Sequence, residues 1–415
     1  MTFVKFLGGL NTIGGNIVQI SQNDSRIITD FGLTQQSLTS DVKILLHEHV
    51  LPPIPDLFLP EFSSSYTHQA IFISHLHLDH TAALAYLKPD VPVYMSRETY
   101  ELYHHLVEVG LAANLKLDLQ VFEPNVPVKI GDLTVTGFAS DHDIPGICSL
   151  LISDGKHYFA HSGDVRLFGD HYENVKKWAK KFKQLNLDLF MLEGTSFSFP
   201  DEDPKEIDQL QPDVNREVEC GQRFAQLLKS TRSVPVVNLY PRNIERLLRF
   251  QAIAAANHRP IVWEPAFAHL LRHYLPTERI LELANESLDQ SFQVSWEQIN
   301  QQPNHYAVQN SFPNLNELGN LDHFSYLHAD GGPLGDYDPD YQRLKQFLID
   351  QKASFERIGT SGHASKAEIV KVAKMVNAKE TVVWHSFEPQ KAESELESRG
   401  LATFLPELNC KYLFK

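Results

Sequence analysis

At 415 residues the chain is long enough to bury a large core and to form two or three domains. Its 42% hydrophobic and 21% charged residues are those of an ordinary globular protein, and no apolar run approaches the roughly 20 residues that span a bilayer. With 37 Lys and Arg against 52 Asp and Glu, the formal charge of −15 excludes a surface that coats nucleic acid by bulk positive charge, though not a small basic groove.

The first residues lack a basic, then apolar, then small-residue signal pattern, so the expected location is the cytoplasm, with no membrane partner. Cys148, Cys220 and Cys410 are too few and too widely spaced for a disulfide framework or a cysteine zinc site, and read as reduced structural residues.

In chain order, 4–10, 16–20 and 26–30 read as short strands joined by Gly and Asn/Asp turns. This is a β-meander, since Gly8-Gly9 and Gly14-Gly15 do not form a dinucleotide fingerprint and no helix follows. Residues 31–66, with Pro52, Pro53, Pro55 and Pro60, make a long connection, either functional or a plain surface excursion. The run Ala70-Ile71-Phe72-Ile73 predicts a buried strand, and 81–87 and 97–109 predict helices. Strands are expected at 127–130, 133–138, 148–152, 156–161 and 187–192.

The texture changes after Phe199, where the acidic, proline-bearing stretch 200–206 suits an exposed boundary. Helix 214–229, strand 234–239, helix 242–256 and strand 261–263 then alternate as a parallel α/β unit. A helix-rich stretch runs to 302, followed by strand 321–327, a glycine-rich turn at 331–335, strand 355–358, helix 366–376, strand 381–384 and a short tail. There is no internal repeat, heptad run or low-complexity segment.

The chemistry concentrates at predicted strand ends. His75-Leu76-His77-Leu78-Asp79-His80 places three imidazoles and a carboxylate in six residues, ligands suited to zinc and similar ions. His142, Asp164 and His385 follow other predicted strands, and loops at one sheet edge can converge on one point. A two-metal centre needs about six or seven protein ligands including a bridging carboxylate, which this inventory supplies. Singly, His142 or His385 would be an ordinary structural histidine.

The series Asp30, His75-x-His77-x-Asp79-His80, His142 and Asp164 resembles the first four motifs of the metallo-β-lactamase superfamily. Glu193 after an apolar strand, Ser361-Gly362-His363-Ala364-Ser365, and His385 after Val382-Val383-Trp384 resemble motifs A, B and C of its β-CASP nuclease branch. The opening Leu7 to Asn16 and the helix entry Tyr240 to Arg246 are similar to ribonuclease J-like enzymes.

The resemblance implies an α/β (α+β) fold, a metallo-β-lactamase αββα sandwich formed by 1–199 and completed by 356–415, with 200–355 as an inserted α/β β-CASP domain. It implies two divalent metal ions, zinc foremost with manganese left open, since imidazole and carboxylate serve both. His75, His77 and His142 would hold one ion, Asp79, His80 and His385 the other, and Asp164 would bridge them. Asp30 would be a buried structural carboxylate.

The implied catalytic residues are Asp79, Asp164, His363 and Glu193. A hydroxide held between the ions would attack a phosphodiester in line, and His363, oriented by Glu193, would protonate the leaving oxygen. Ser361, Gly362, Ala364 and Ser365 would hold the 5′-terminal phosphate of a single-stranded RNA, while Ser365 and Glu368 also read as a plain capping box. The implied activity is that of a ribonuclease, exonuclease or endonuclease.

Positive charge clusters at Lys176, Lys177, Lys180, Lys181 and Lys183 on one predicted helix and at Arg242, Arg246 and Arg249 on another. Such runs are usually solvated faces, but the second opens a strand-to-helix turn where RNA would bind, making Arg242 a candidate substrate contact. Motif C lacks the Pro-Val-His-Gly-Glu type of run, motif A is Glu and not Asp, and the sequence stops soon after motif C. These departures leave exonuclease mode and oligomeric state open, a homodimer included. The rival readings are a hydrolase of a small ester, lactone or cyclic phosphodiester, and a non-catalytic RNA-binding relative.

Overall fold

Alternation of buried and half-buried residues makes Thr2–Phe6 a strand with one face on the core, and the same logic recurs through the first half of the chain. The computed structural model describes residues 1–34, 40–200, 216–284, 292–335 and 338–415. The chain divides into two units: Met1–Glu101, Asn114–Val214 and Gly362–Lys415 form the first, and Leu102–Ala113 with Asn215–Ser361 the second.

In the first unit, β1 (Thr2–Phe6), β2 (Val18–Gln22) and β3 (Ser25–Thr29) form the expected antiparallel meander. β4 (His68–Phe72), β5 (Pro92–Ser96) and β6 (Asp118–Phe122) then continue the sheet in parallel. A second sheet is built from β7 (Pro127–Ile130), β8 (Leu133–Ala139), β9 (Cys148–Ser153), β10 (Tyr158–His161) and β11 (Leu189–Glu193).

Val4, Phe6, Ile20 and Phe72 of the first sheet meet Leu150, Phe159, Leu189 and Met191 of the second in one core. The other face of the second sheet is covered by helices Tyr172–Leu185 and Lys366–Val376, through Trp178, Phe182, Ile369 and Val376. Each of these helices ends at an Asn in the left-handed conformation, Asn186 and Asn377. All five lysines of the first helix lie opposite its buried stripe of Val175, Trp178, Ala179 and Phe182, which is why they are solvated.

The second unit is the parallel α/β unit read from the sequence. β12 (Val234–Leu239), β13 (Ile261–Trp263), β14 (Leu281–Leu283), β15 (Gln293–Val294), β16 (Ala307–Gln309), β17 (Phe324–Ala329) and β18 (Ser354–Arg357) form one parallel sheet in the order β15-β14-β13-β16-β12-β17-β18. β18 pairs with β17, so the strand expected to begin the return to the first unit at 356 belongs here instead. The chain then re-enters the first unit to add β19 (Thr381–Trp384) beside β11 and β20 (Lys411–Phe414) beside β1.

Several local expectations are revised. The helix expected at 81–87 is one α-turn, Leu78–Thr81, followed by the 3₁₀ segment Ala82–Tyr86. Helix Pro339–Asp350 lies in a stretch given no element from the sequence, and helix Pro389–Ser398 and strand β20 lie in the stretch read as tail. Both helices start with Pro at the first position, where a missing N–H costs nothing, a signal the periodicity alone did not carry. The connection 31–66 contains helix Val42–His47, N-capped by Asp41. The acidic boundary at 201–206 lies outside the described residues, as do 214–215, and the helix expected there is described from Arg216. Among the described residues no helix is long and apolar enough to cross a membrane.

Candidate metal centre

β3 and β4 run parallel as neighbours, so Asp30 and the loop beginning at Ile73 leave the first sheet side by side. In the second sheet β10, β11 and β19 are also parallel, so Asp164, Glu193 and His385 issue from adjacent strand ends. The β8 end supplies His142. Asp30 and His385 both hold left-handed backbone, with φ of 57° and 54°. That conformation costs a non-glycine residue roughly 1–2 kcal/mol, and such outliers gather at functional sites.

These ends bring together all seven residues expected as ligands, in two groups that share Asp164. His75, His77, His142 and Asp164 form one, and Asp79, His80, Asp164 and His385 the other, with the ligand atoms of each within 4.8 Å of one another. Asp164 Oδ2 lies 3.5 Å from His75 Nε2, 3.3 Å from His80 Nε2 and 3.6 Å from His142 Nε2. Asp164 Oδ1 faces His385 Nδ1 at 2.9 Å, and His385 Nε2 faces Asp79 Oδ2 at 3.2 Å.

His75 Nε2, His385 Nε2 and Asp164 Oδ2 are buried and face other site atoms without a well-aligned hydrogen bond among the described residues. Buried polar atoms left in this state are costly. A donor set of imidazoles and carboxylates with its lone pairs turned inward therefore fits divalent cations.

Without an ion the cluster divides by charge. Burial pushes His77 down to about 4 and His142 well below the ordinary imidazole value, against the pull of Asp143. Burial also opposes charge on His80 and His385, but Asp164 and Asp79 overcome it, raising His80 well above its usual value and His385 to about 10. Against their own burial, the facing histidines hold Asp164 and Asp79 below the carboxylate range.

Four further residues, none of them expected as a ligand or catalytic group, support the cluster. Ser74 donates from its backbone N and its Oγ to Asp30, at 2.7 and 2.9 Å, and its Oγ also lies 2.9 Å from His75 Nδ1. Asn16 Nδ2 lies 2.8 Å from His80 Nε2. Asp143 Oδ1 stands 3.3 Å from His77 Nε2 and 3.1 Å from His142 Nε2. His161 Nδ1 accepts from Gly163 N, which leaves its Nε2 to face Asp30 Oδ2 at 3.4 Å. Their signal was a place near His75, His142 or Asp164 or, for Asn16, in the opening motif, which does not distinguish a supporting group from a turn residue.

Residues 53–235 match the beta-lactamase superfamily domain. Ribonuclease J of Mycolicibacterium smegmatis is 24% identical over 62% of this chain and 43% of its own length, and that of Mycoplasma genitalium 26% identical over 63% and 43%. The chain is thus similar to ribonucleases J, and its residues 53–235 to the beta-lactamase superfamily domain. The matches cover less than half the length of these ribonucleases J. A solved protein of unknown function from Enterococcus faecalis superposes over the full length of both chains with a TM-score of 0.85 and 28% identity.

His363 Nδ1 lies 3.3 Å from Glu193 Oε1 and 3.8 Å from Asp164 Oδ2. Burial disfavours the imidazolium, yet Glu193 and Asp164 outweigh it and raise its pKa. Glu193 is fixed in turn, accepting from Val165 N at 3.2 Å and Thr195 N at 2.9 Å.

The expected phosphate loop is largely committed elsewhere. Ala364 is buried in the core, and its N–H donates to Val165 O at 2.6 Å. Ser365 closes a capping box with Glu368, which occupies both its N–H and its hydroxyl. Gly362 O takes His142 Nδ1, and a Cβ on Gly362 would stand 2.6 Å from that ring, so this glycine holds a ligand in place. Ser361 is exposed and closes the second unit.

Arg242, also in the second unit, donates to Tyr240 Oη at 3.2 Å. Its expected companion on an RNA face, Arg246, is instead buried, bonded to Glu217, Asp330 and two backbone carbonyls. The requirement to neutralise Glu217 and Asp330 inside the unit explains that burial.

Proposed function

We propose that this chain hydrolyses RNA phosphodiester bonds in a metal-dependent reaction. The observation that carries the reading is the placement of His363 against Glu193 beside Asp164, which couples a proton donor to the ligand cluster. A hydrolase of small esters or lactones has no need of this pair.

His75, His77 and His142 would hold one ion and Asp79, His80 and His385 a second, with Asp164 common to both. Two divalent ions bound there would supply Lewis acidity and activate water as the nucleophile. Asp30 fixes the ring of His80 through Nδ1 and, with Ser74, the start of the ligand loop. His363, kept protonated by its two carboxylate neighbours, gives its proton to the leaving oxygen, and Glu193 stabilises the imidazolium beforehand and orients it. Of the residues considered for a terminal phosphate, Ser361 and Gly362 keep that role in this reading.

The test uses purified protein with zinc or manganese and an internally labelled single-stranded RNA bearing a 5′-monophosphate or a 5′-hydroxyl. Mononucleotides released only from the monophosphate form establish a 5′ exonuclease, and internal fragments from either form an endonuclease. Cleavage of neither, with turnover of a lactone or small ester, replaces the proposal.

A further inference from the structure

The seven ligands are unequally covered. His75, His80, His142, Asp164 and His385 are buried and the His77 side chain is 16% exposed, whereas that of Asp79 keeps 32% of its surface exposed, so the cluster opens most on the Asp79 side. His385 meets Asp79 at that opening, and two residues further on Phe387 is 53% exposed.

Single exposed apolar residues are common on protein surfaces, and exposure alone assigns nothing. What sets Phe387 apart is that its loop is held on several sides. Its N–H donates to Ser198 Oγ at 2.9 Å, Ser386 Oγ lies 3.1 Å from the same hydroxyl, and Glu388 N donates to Ser386 Oγ at 3.2 Å. Thr195 Oγ1 ties down His385 O, and Ser386 bridges Thr12 in the loop whose Gly14 packs against Asp79 Cβ. The backbone is fixed beside the metal centre while the ring is left in water. An aromatic face presented in this way forgoes the burial that a Phe ordinarily gains, and a flat π-system arriving at the site would restore it.

Resting on the nuclease reading above, we propose that Phe387 is a stacking platform for a nucleobase of the RNA, at the nucleotide next to the bond that is cut. Every base has a π-face, so the platform favours an unpaired strand over a duplex without selecting a sequence. It also separates nucleic acid from small esters and lactones, which carry no base to place there.

The experiment compares the metal-loaded wild type with Phe387→Ala and Phe387→Trp on single-stranded RNAs in which one abasic nucleotide is moved along the chain. Phe387→Ala should raise KM on intact RNA about tenfold, the loss of one stacked base, with kcat nearly unchanged, and Phe387→Trp should restore it. At one abasic position the wild type should lose the same factor and Phe387→Ala nothing more. An unchanged KM in Phe387→Ala, or equal losses on intact and abasic RNA, overturns the platform and leaves the nuclease reading standing. Failure of the wild type to bind or cleave any RNA overturns both. An unchanged thermal midpoint in both variants excludes unfolding as the cause.

Discussion

Asp30 Oδ2 lies 2.8 Å from Nδ1 of His80, 50 residues away in sequence, and the same carboxylate takes both the N–H and the hydroxyl of Ser74. One buried side chain thus fixes the ring of one ligand and the first turn of the loop that carries four. Asp30→Asn keeps the shape but removes the charge that holds these donors. Metal affinity should fall about 10- to 100-fold, read by competition with a chromophoric chelator, with the fold retained by circular dichroism. Wild-type affinity in this variant would mean that Asp30 only fills space.

His363→Ala removes a group that belongs to neither of the two ligand groups. Metal content by elemental analysis should equal that of the wild type, while kcat on RNA falls about 100-fold or more, the usual worth of a positioned general acid. Equal kcat values would dismiss His363 from proton transfer.

The pH profile tests the Glu193 pairing. A general acid works only below its pKa, so kcat should fall on the alkaline side as His363 loses its proton. Glu193→Gln takes away the larger of its two electrostatic supports, so the alkaline limb of kcat should move towards lower pH. A limb that stays in place assigns that ionisation to another group.

Metal uptake should release protons. His80 and His385 are held charged in the ion-free protein, and both must give up a proton to ligate. Calorimetric titration near neutral pH in two buffers of different ionisation enthalpy should show roughly two protons released per protein, with affinity falling as pH drops. Heats independent of buffer would contradict this ligand set.

A methyl group on Gly32 would stand 1.5 Å from the carbonyl oxygen of Asp79, a backbone atom that cannot yield without dragging the ligand loop. Gly32→Ala should cost about 1–3 kcal/mol of stability in chemical denaturation and weaken metal binding as well. Stability loss with undisturbed metal binding would show that the loop relaxes independently of its ligands.

The His and Asp cluster was legible because these residues were concentrated after apolar runs, and strand ends are where a sheet presents side chains to one place. His385, 221 residues after Asp164, could be paired with it only through a family pattern, since no local spacing links them. What remained hidden is set by tertiary context. Arg246 lies on a helix face that reads as basic, yet the neutralisation of Glu217 and Asp330 draws it inside. Ala364 sits in a phosphate-loop motif, yet its N–H is consumed by Val165. Helix Pro389–Ser398 buries only Pro389, Ala392 and Leu396, too thin a stripe for periodicity to announce.

The parallel pairing of β19 with β11 bears on the order in which a nascent chain becomes competent. Synthesis delivers Asp30, the 75–80 loop, residues 102–113 of the second unit, His142, Asp164 and Glu193 first, then the rest of the second unit, and only afterwards His363 and the strand that ends in His385. Thr195 and His385, hydrogen-bonded in the finished protein, are separated by 190 residues of translation. Domains generally fold as they emerge, so the growing chain passes through a stage at which the first ligand group is complete while the second still lacks His385. On the reading proposed above, hydrolysis would therefore wait until the late segment docks, and a ribosome-bound fragment ending before Thr381 would carry the first group of side chains without the second.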